Sequence, residues 1–215
     1  YGKANYPARH TALFLVSHGD GMVSCPDETN GDDQLFTAEF SDVLGQEESI
    51  DLLGFDACLM AGVENAYQWR AGDKRFGADY LIASAPLSSS WPYADIFSRL
   101  GPGPGSTAPG GLSPAGFSRL VIDELHRQIA EGRSGDKGLE RDLQAWGAFE
   151  LKHAPAVKAA LDKLAVALWE EKKKEDLLTL RGSGLKAGTF VYVWPEKGAE
   201  ASMPNVDICH LAERI

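Results

Sequence analysis

Short apolar runs that stop at a polar turn constrain the fold of this chain more than any other feature. Residues 12–17 (ALFLVS) and 50–55 (IDLLGF) are followed within three residues by His18 and by Cys58. Runs of this length between turn residues are typical of strands buried on both faces of a parallel sheet. If the two strands are neighbours, His18 and Cys58 meet at the carboxyl-end edge, where open α/β sheets build their sites.

Helical periodicity separates the strand-like runs and completes an α/β pattern. Ser113 is a predicted N-cap, with Pro114 at the first helical position after it, and Thr37 is a second predicted N-cap. Strands are predicted over 12–17, 50–55, 79–84, 146–151 and 189–194, and helices over 38–45, 59–70, 114–131 and 155–175. This alternation indicates right-handed crossovers and a mostly parallel central sheet covered by helices.

Length and composition allow one good hydrophobic core. The chain has 215 residues, of which 44% are hydrophobic, and its glycine-rich breaks are too short to separate domains. We therefore expect a single domain over residues 1–215. The chain begins at Tyr1 without a starting Met and ends at Ile215 inside a predicted helix, which indicates a processed or trimmed piece of a longer protein.

Charge and hydropathy exclude two classes of partner. The formal charge of −10 and the pI near 5.0 leave no basic patch to neutralise phosphates, which excludes nucleic acid. No apolar run is long enough to cross a bilayer, so no membrane partner is expected. The cysteines, Cys25, Cys58 and Cys209, lack the Cys-x-x-Cys spacing of a metal site. We interpret Cys25 and Cys209 as a loop thiol and a small packing residue.

A thiol beside an imidazole is the minimal equipment for nucleophilic acyl transfer. Cys58 precedes the helix predicted from Leu59, and the positive end of that helix dipole would favour the thiolate. His18 can act as the base, or as the acid that protonates a departing amine. Gly19 lets a ligand approach the backbone, and the amides of Gly19 and Cys58 are the candidate oxyanion hole.

The substrate-binding candidates lie close to the same edge. Asp56 precedes Cys58 by two residues, and its carboxylate can receive a basic substrate side chain or hold the local loop by hydrogen bonds. Ser84 ends the strand predicted over 79–84, and Trp91 and Tyr93 follow it, so all three are predicted to line the substrate cleft. For the two aromatic residues, packing in the core or in a lid is an equal alternative.

Other interpretations of the pair were weighed. A single cysteine is usually a small core residue and a single histidine a loop residue, but the joint placement of His18 and Cys58 favours chemistry. A catalytically silent, protease-like binding or regulatory module is the main alternative. No Gly-x-Ser-x-Gly elbow indicates a serine hydrolase, so the run 88–90 (SSS) is interpreted as a polar loop, and no Walker A motif indicates nucleotide binding.

At these residues the chain resembles the clostripain family of cysteine endopeptidases, in the clan that also holds caspases, legumains and gingipains. The clan carries His-Gly after one strand and a small residue before Cys after the next, here His18-Gly19 and Ala57-Cys58. The run 53–60 (LGFDACLM) is close to that of clostripain-like proteins. Weaker likeness to the family continues through residues 27–44, 78–100 and 146–168 and ends at residues 206–208, so it covers most of the chain.

The resemblance implies a caspase-like three-layer α/β sandwich with helices on both faces and His18 and Cys58 as a catalytic dyad. It implies cleavage of peptide or protein substrates after Arg or Lys, with Asp56 near the specificity pocket. It also implies activation by self-cleavage, so a cleaved N-terminal or C-terminal segment of the protein is a further candidate partner. Secretion, or a place in the cell envelope, is expected for such a protein.

The chain departs from the family in two places. Family members often carry an acidic residue where residues 85–93 (APLSSSWPY) have none, and the strand and helix that precede the His strand in the family are absent here. No cofactor is required by the resemblance, although some members depend on calcium. Four acidic residues are candidate calcium ligands without EF-hand spacing, with a solvated acidic loop as the alternative. They are Asp20, Asp27, Asp32 and Asp33.

Overall fold

The computed structural model describes residues 1–31, 33–72, 74–100, 112–133 and 144–170. The strands are β1 (Ala12–Val16), β2 (Val23–Asp27), β3 (Asp33–Phe36), β4 (Ile50–Asp56), β5 (Ala78–Ser84) and β6 (Trp146–Glu150). The α-helices are α1 (Gly2–Asn5), α2 (Thr37–Val43), α3 (Val63–Gln68), α4 (Tyr93–Ser98), α5 (Pro114–Ala130) and α6 (Ala154–Glu170). Two short 3-10 helices, Gln46–Glu48 and Leu151–His153, complete the described elements.

Four of the strands form one sheet in the order β1-β4-β5-β6. β1 and β5 each run parallel to β4, and β6 pairs with β5 in the antiparallel sense. The register sets Val16 opposite Asp56, so β1 and β4 end side by side at one edge. The remaining strands, β2 and β3, form a separate antiparallel hairpin.

Successive residues of β4 pack into two different hydrophobic clusters, because side chains alternate between the faces of a strand. Leu53 and Phe55 belong to a cluster with Trp69 that also packs against α2 and α3. Leu52 belongs to a cluster with residues of α4 and α5 on the other side. Helices therefore cover both faces of a mostly parallel sheet, and the predicted fold class is confirmed.

The two predicted N-caps have different outcomes. Ser113 caps α5, since its Oγ accepts a hydrogen bond from Gly116 N at 3.1 Å. Thr37 is not a cap: Phe36 takes the N-cap position of α2, and the Glu39 carboxylate accepts from Phe36 N at 2.7 Å. The Thr37 hydroxyl instead donates to Met22 O at 2.8 Å, which ties α2 to the chain ahead of β2.

Four predicted strands and three predicted helices lie within one or two residues of their predicted bounds over the described residues. The helix predicted over 59–70 is wrong at its start, because α3 begins only at Val63. The amides of Leu59 and Ala61 instead donate to Pro86 O at 3.1 Å and to Ser84 O at 3.0 Å. The hairpin of β2 and β3 and the short α4 were not predicted. The predicted strand 189–194 and the end of the helix 155–175 lie outside the described residues.

The chain divides into two compact units, residues 1–155 and a second unit that begins at Ala156. Of the second unit, the structure describes helix α6 as far as Glu170. A single domain over 1–215 stays a prediction. Within the described part of the chain, every helix is too short or too polar to span a membrane.

Candidate active site

The ends of β1 and β4 bring the two candidate loops into contact. Ser17 N donates to Asp56 O at 3.3 Å, which continues the parallel pairing one residue beyond β1. Gly19 then lies so close to the loop after β4 that an added Cβ would be 2.6 Å from Cys58 O. The residue after His18 therefore touches the backbone of Cys58 itself, at the sheet edge predicted from the sequence.

His18 is held through its main chain and leaves its imidazole exposed. Its carbonyl accepts from Cys25 N at 3.1 Å, and Gly19 pairs with Ser24 in an isolated bridge. The hairpin of β2 and β3 thus anchors the His18 loop from the side away from β4. An exposed ring on an anchored backbone can accept or donate a proton at a substrate.

Cys58 lies in a tight turn rather than at the start of a helix. Because α3 begins five residues later, the predicted support of the thiolate by a helix dipole is wrong. The next residue, Leu59, has φ +64°, a left-handed conformation that costs a non-glycine residue about 1–3 kcal/mol. Strain of this kind is typical of functional turns, and the Cys58 side chain beside it is half-buried.

Ser88 provides the polar contacts of the Cys58 sulfur. Ser88 N donates to Cys58 Sγ at 3.4 Å, and the Ser88 hydroxyl lies 3.9 Å from the same atom. The residues 88–90 were interpreted as a polar loop, and this role was missed. Three consecutive serines after a site strand were the available signal, but the sequence does not say which one meets the sulfur.

The serines that follow fix this loop to neighbouring elements. The Ser89 hydroxyl donates to Gln144 Oε1 at 2.8 Å, and Ser90 O accepts from Gln128 Nε2 at 3.4 Å. The loop between β5 and α4 is therefore held from several sides while it presents Ser88 to Cys58.

Asp56 is buried, with 6% of its surface exposed, and its Oδ2 accepts from Trp91 N at 3.1 Å. Burial raises the pKa of this carboxyl, and the bond from Trp91 N opposes the rise. Of its two predicted roles, holding the local loop is confirmed. Direct contact with a basic substrate side chain stays a prediction, since the described carboxylate is buried and bonded to Trp91 N.

The other three predicted cleft residues pack inside the protein. Ser84 is fully buried and its hydroxyl donates to Pro86 O at 3.0 Å and to Ala145 O at 3.1 Å. Trp91 is 4% exposed and packs edge-on against Phe14. Both side chains are buried in the described structure, and their place in the substrate cleft stays a prediction.

Tyr93 follows the same pattern. Its ring stacks on Phe97 with centroids 5.9 Å apart, and its hydroxyl oxygen is buried. Burial and the neighbouring Asp56 charge both raise the pKa of the phenol. Trp91 is buried in a hydrophobic cluster and the half-buried Tyr93 packs against it, as core packing predicts, while a role for either in the substrate cleft stays a prediction.

The structure predicts opposite outcomes for two substitutions of Asp56. Asp56→Asn retains an acceptor for Trp91 N without a buried charge, so it should be at least as stable as the wild type at neutral pH. Asp56→Ala leaves that amide without its partner and should lower the free energy of unfolding by about 1–3 kcal/mol. Urea unfolding of both variants measures the difference.

The pH dependence of the free energy of unfolding is the control for these two substitutions of Asp56. Because the pKa of Asp56 is raised in the folded state, the native protein binds more protons between the ordinary and the raised pKa. The contribution of Asp56 to stability therefore falls as pH rises through that window, and the Asn variant should lack this fall. Identical pH profiles for the wild type and Asp56→Asn would contradict the buried carboxylate.

The predicted calcium ligands serve other roles where they are described. Asp27 Oδ1 accepts from Thr29 N at 3.0 Å, and Oδ2 from Asn30 Nδ2 at 2.6 Å, so this carboxylate closes the turn after β2. The Thr29 hydroxyl, which donates to Oδ1 at 2.6 Å, and these two bonds together lower the pKa of Asp27 to about 2. Among the described residues, His, Cys, Asp and Glu form no group of three that could hold a metal ion. Asp32 lies outside them, and a calcium requirement stays a prediction.

Comparison with known proteins identifies the family. Residues 1–206 match the model of the clostripain family. The chain belongs to the clostripain family. It is 34% identical to clostripain of Hathewaya histolytica over 242 aligned residues, which cover 100% of this chain and 46% of that protein. A clostripain-family chain of this size therefore spans less than half the length of the curated relative it matches.

Solved structures show the same fold. A secreted C11 cysteine protease of Bacteroides thetaiotaomicron, solved with an irreversible peptide inhibitor, matches with a TM-score of 0.54 and 23% identity over 74% of this chain and 44% of that one. An inactive zymogen C11 protease of Parabacteroides distasonis matches with a TM-score of 0.50 and 19% identity, over 74% and 39% of the two chains. The caspase-like arrangement expected for a clostripain-family chain is confirmed.

Proposed function

We propose that this chain carries the catalytic site of a cysteine endopeptidase, with Cys58 as the nucleophile and His18 as general acid and base. One observation supports this most strongly: at the common ends of β1 and β4, Gly19 packs directly against the backbone of Cys58. This contact places the His18 and Cys58 loops side by side. Membership of the clostripain family supports the same chemistry.

In each half of the reaction, His18 accepts one proton and then gives it up. His18 takes the thiol proton as Cys58 Sγ attacks the carbonyl carbon of the scissile peptide bond. The amides of Gly19 and Cys58 are the proposed donors that stabilise the oxyanion. His18 then gives the proton to the departing amine, which leaves an acyl group on Sγ. Water, deprotonated by His18, attacks this thioester and releases the acid and the free thiol.

Cleavage after Arg or Lys is proposed from the relationship to clostripain. The net charge of −10 favours the approach of cationic substrates. By analogy with the secreted protease of similar fold, we also propose that the protein is secreted and that a segment of its own chain is processed.

A set of fluorogenic peptides that differ only in the residue before the scissile bond tests this proposal on the full-length protein. We expect cleavage of Arg and Lys peptides and none by a folded Cys58→Ala control. Cleavage after Asp or Asn instead would contradict the proposed preference but would remain consistent with His18 and Cys58 as the dyad. If every peptide stays intact while the protein is folded, the site is a silent binding module.

A further inference from the structure

Asn65 connects both loops of the proposed dyad, although it lies outside them. It sits in the first turn of α3 and is buried, with 1% of its surface exposed. Its Nδ2 donates to Gly21 O at 2.6 Å and to Met60 O at 3.0 Å. Its Oδ1 accepts from the Thr37 hydroxyl at 3.1 Å. Both donors and the acceptor of the amide are therefore satisfied.

The two carbonyls bound by Asn65 belong to different catalytic loops. Gly21 lies three residues after His18, and Met60 lies two residues after Cys58. The loops also meet directly, since a Cβ on Gly19 would lie 2.9 Å from Met60 Cγ and Sδ. One buried side chain thus spans the junction whose geometry sets the separation of the imidazole and the sulfur.

Thr37 fixes which way the Asn65 amide points. The single proton of the Thr37 hydroxyl is shared between Asn65 Oδ1 at 3.1 Å and Met22 O at 2.8 Å, and Thr37 N donates to Met22 O at 3.0 Å. Because the hydroxyl occupies Oδ1, the NH₂ group of Asn65 is directed at the two loop carbonyls. In Asn65→Asp, a carboxylate oxygen would take the place of the NH₂ group and would be repelled by the carbonyl oxygens of Gly21 and Met60.

We propose that Asn65 is a positioning residue that aligns His18 with Cys58 by holding Gly21 and Met60 together; this rests on the proposed function. Misplacement of a reacting group by about 1 Å can cost about a hundredfold in rate. Asn65→Ala and Asn65→Asp should therefore each lower kcat by about a hundredfold. KM should change far less, because Asn65 is buried and does not touch substrate.

A double-mutant cycle on the full-length protein tests the proposal. The measured quantity is the rate at which iodoacetamide alkylates Cys58, followed by mass spectrometry, in the wild type, Asn65→Ala, His18→Ala and the double variant. If Asn65 acts through the alignment of His18, Asn65→Ala slows alkylation of the wild type but not of His18→Ala. An equal slowing in both backgrounds would overturn the proposal and leave a general structural role.

Two further variants separate alignment from loss of stability. Val121→Ala truncates the core beneath α5, away from both loops, and should lower the melting temperature without changing kcat. Thr37→Val replaces the hydroxyl that bonds both Asn65 Oδ1 and Met22 O with a methyl group of similar size, so it tests the proposal even if Asn65→Ala does not fold. We expect about a tenfold loss of kcat from Thr37→Val, and an unchanged kcat would contradict the proposal. If His18→Ala itself leaves the alkylation rate of Cys58 unchanged, the dyad and this proposal both fail. If His18→Ala slows alkylation but Asn65→Ala slows it equally in both backgrounds, only the positioning role of Asn65 fails.

Discussion

Cys58→Ala is expected to abolish peptide hydrolysis, and His18→Ala to lower kcat/KM by about 10²–10⁴. The first change removes the proposed nucleophile, and the second removes the proposed acid and base that serve it. Residues that act as a unit are not additive, so the double variant should be no less active than Cys58→Ala alone. Steady-state hydrolysis of an Arg or Lys peptide measures all three.

Cys25→Ala is the matched control for these two variants. Only the main chain of Cys25 is bonded to the His18 loop, and alanine keeps that bond. The variant should hydrolyse the same peptide within about twofold of the wild type, inside the range expected of substitutions away from the chemistry. Loss of activity in Cys25→Ala, with activity retained in Cys58→Ala, would show that the nucleophile is Cys25 and not Cys58.

Gly19→Ala should lower kcat by about a hundredfold while the protein stays folded. The added Cβ would lie 2.6 Å from Cys58 O, and a backbone atom cannot rotate away as a side chain would. The His18 and Cys58 loops must therefore move apart at the point where the proposed oxyanion amides lie. Steady-state kinetics and the melting temperature separate this displacement from unfolding.

Gly2→Ala is the control for the added methyl group, because a Cβ at Gly2 has no atom within 4 Å. It should leave both kcat and the melting temperature unchanged. An unchanged kcat in Gly19→Ala would show that the contact between the loops does not matter for catalysis. A matching fall in kcat and stability would point to misfolding instead.

The strand ends and the two candidate loops were predictable because their signals are local. Apolar runs that stop at His18 and Cys58 identify strands and their ends without knowledge of their partners. Ser113 and Pro114 likewise define the start of α5 from sequence alone.

The errors arose where tertiary partners override the local pattern. Helical spacing continues back to Leu59, but its amide bonds to Pro86 O, and the backbone takes φ +64°. Trp91 follows β5, one of the strands that end near the site, but its ring is buried and packs edge-on against Phe14. In the hairpin, β2 contains Pro26 and is mostly half-buried, and β3 is exposed throughout, so the apolar alternation is weak. Asn65 shows no local signal, because its partners are carbonyls distant in sequence.

The central claim is that the His18 imidazole activates the Cys58 sulfur. The most direct measurement is the rate of alkylation of each cysteine by iodoacetamide, mapped by mass spectrometry while activity is followed. We predict that Cys58 reacts faster than Cys25 or Cys209, that activity disappears in step with its modification, and that the advantage is lost in His18→Ala. Equal rates at the three cysteines, or an advantage of Cys58 that survives His18→Ala, would contradict the account.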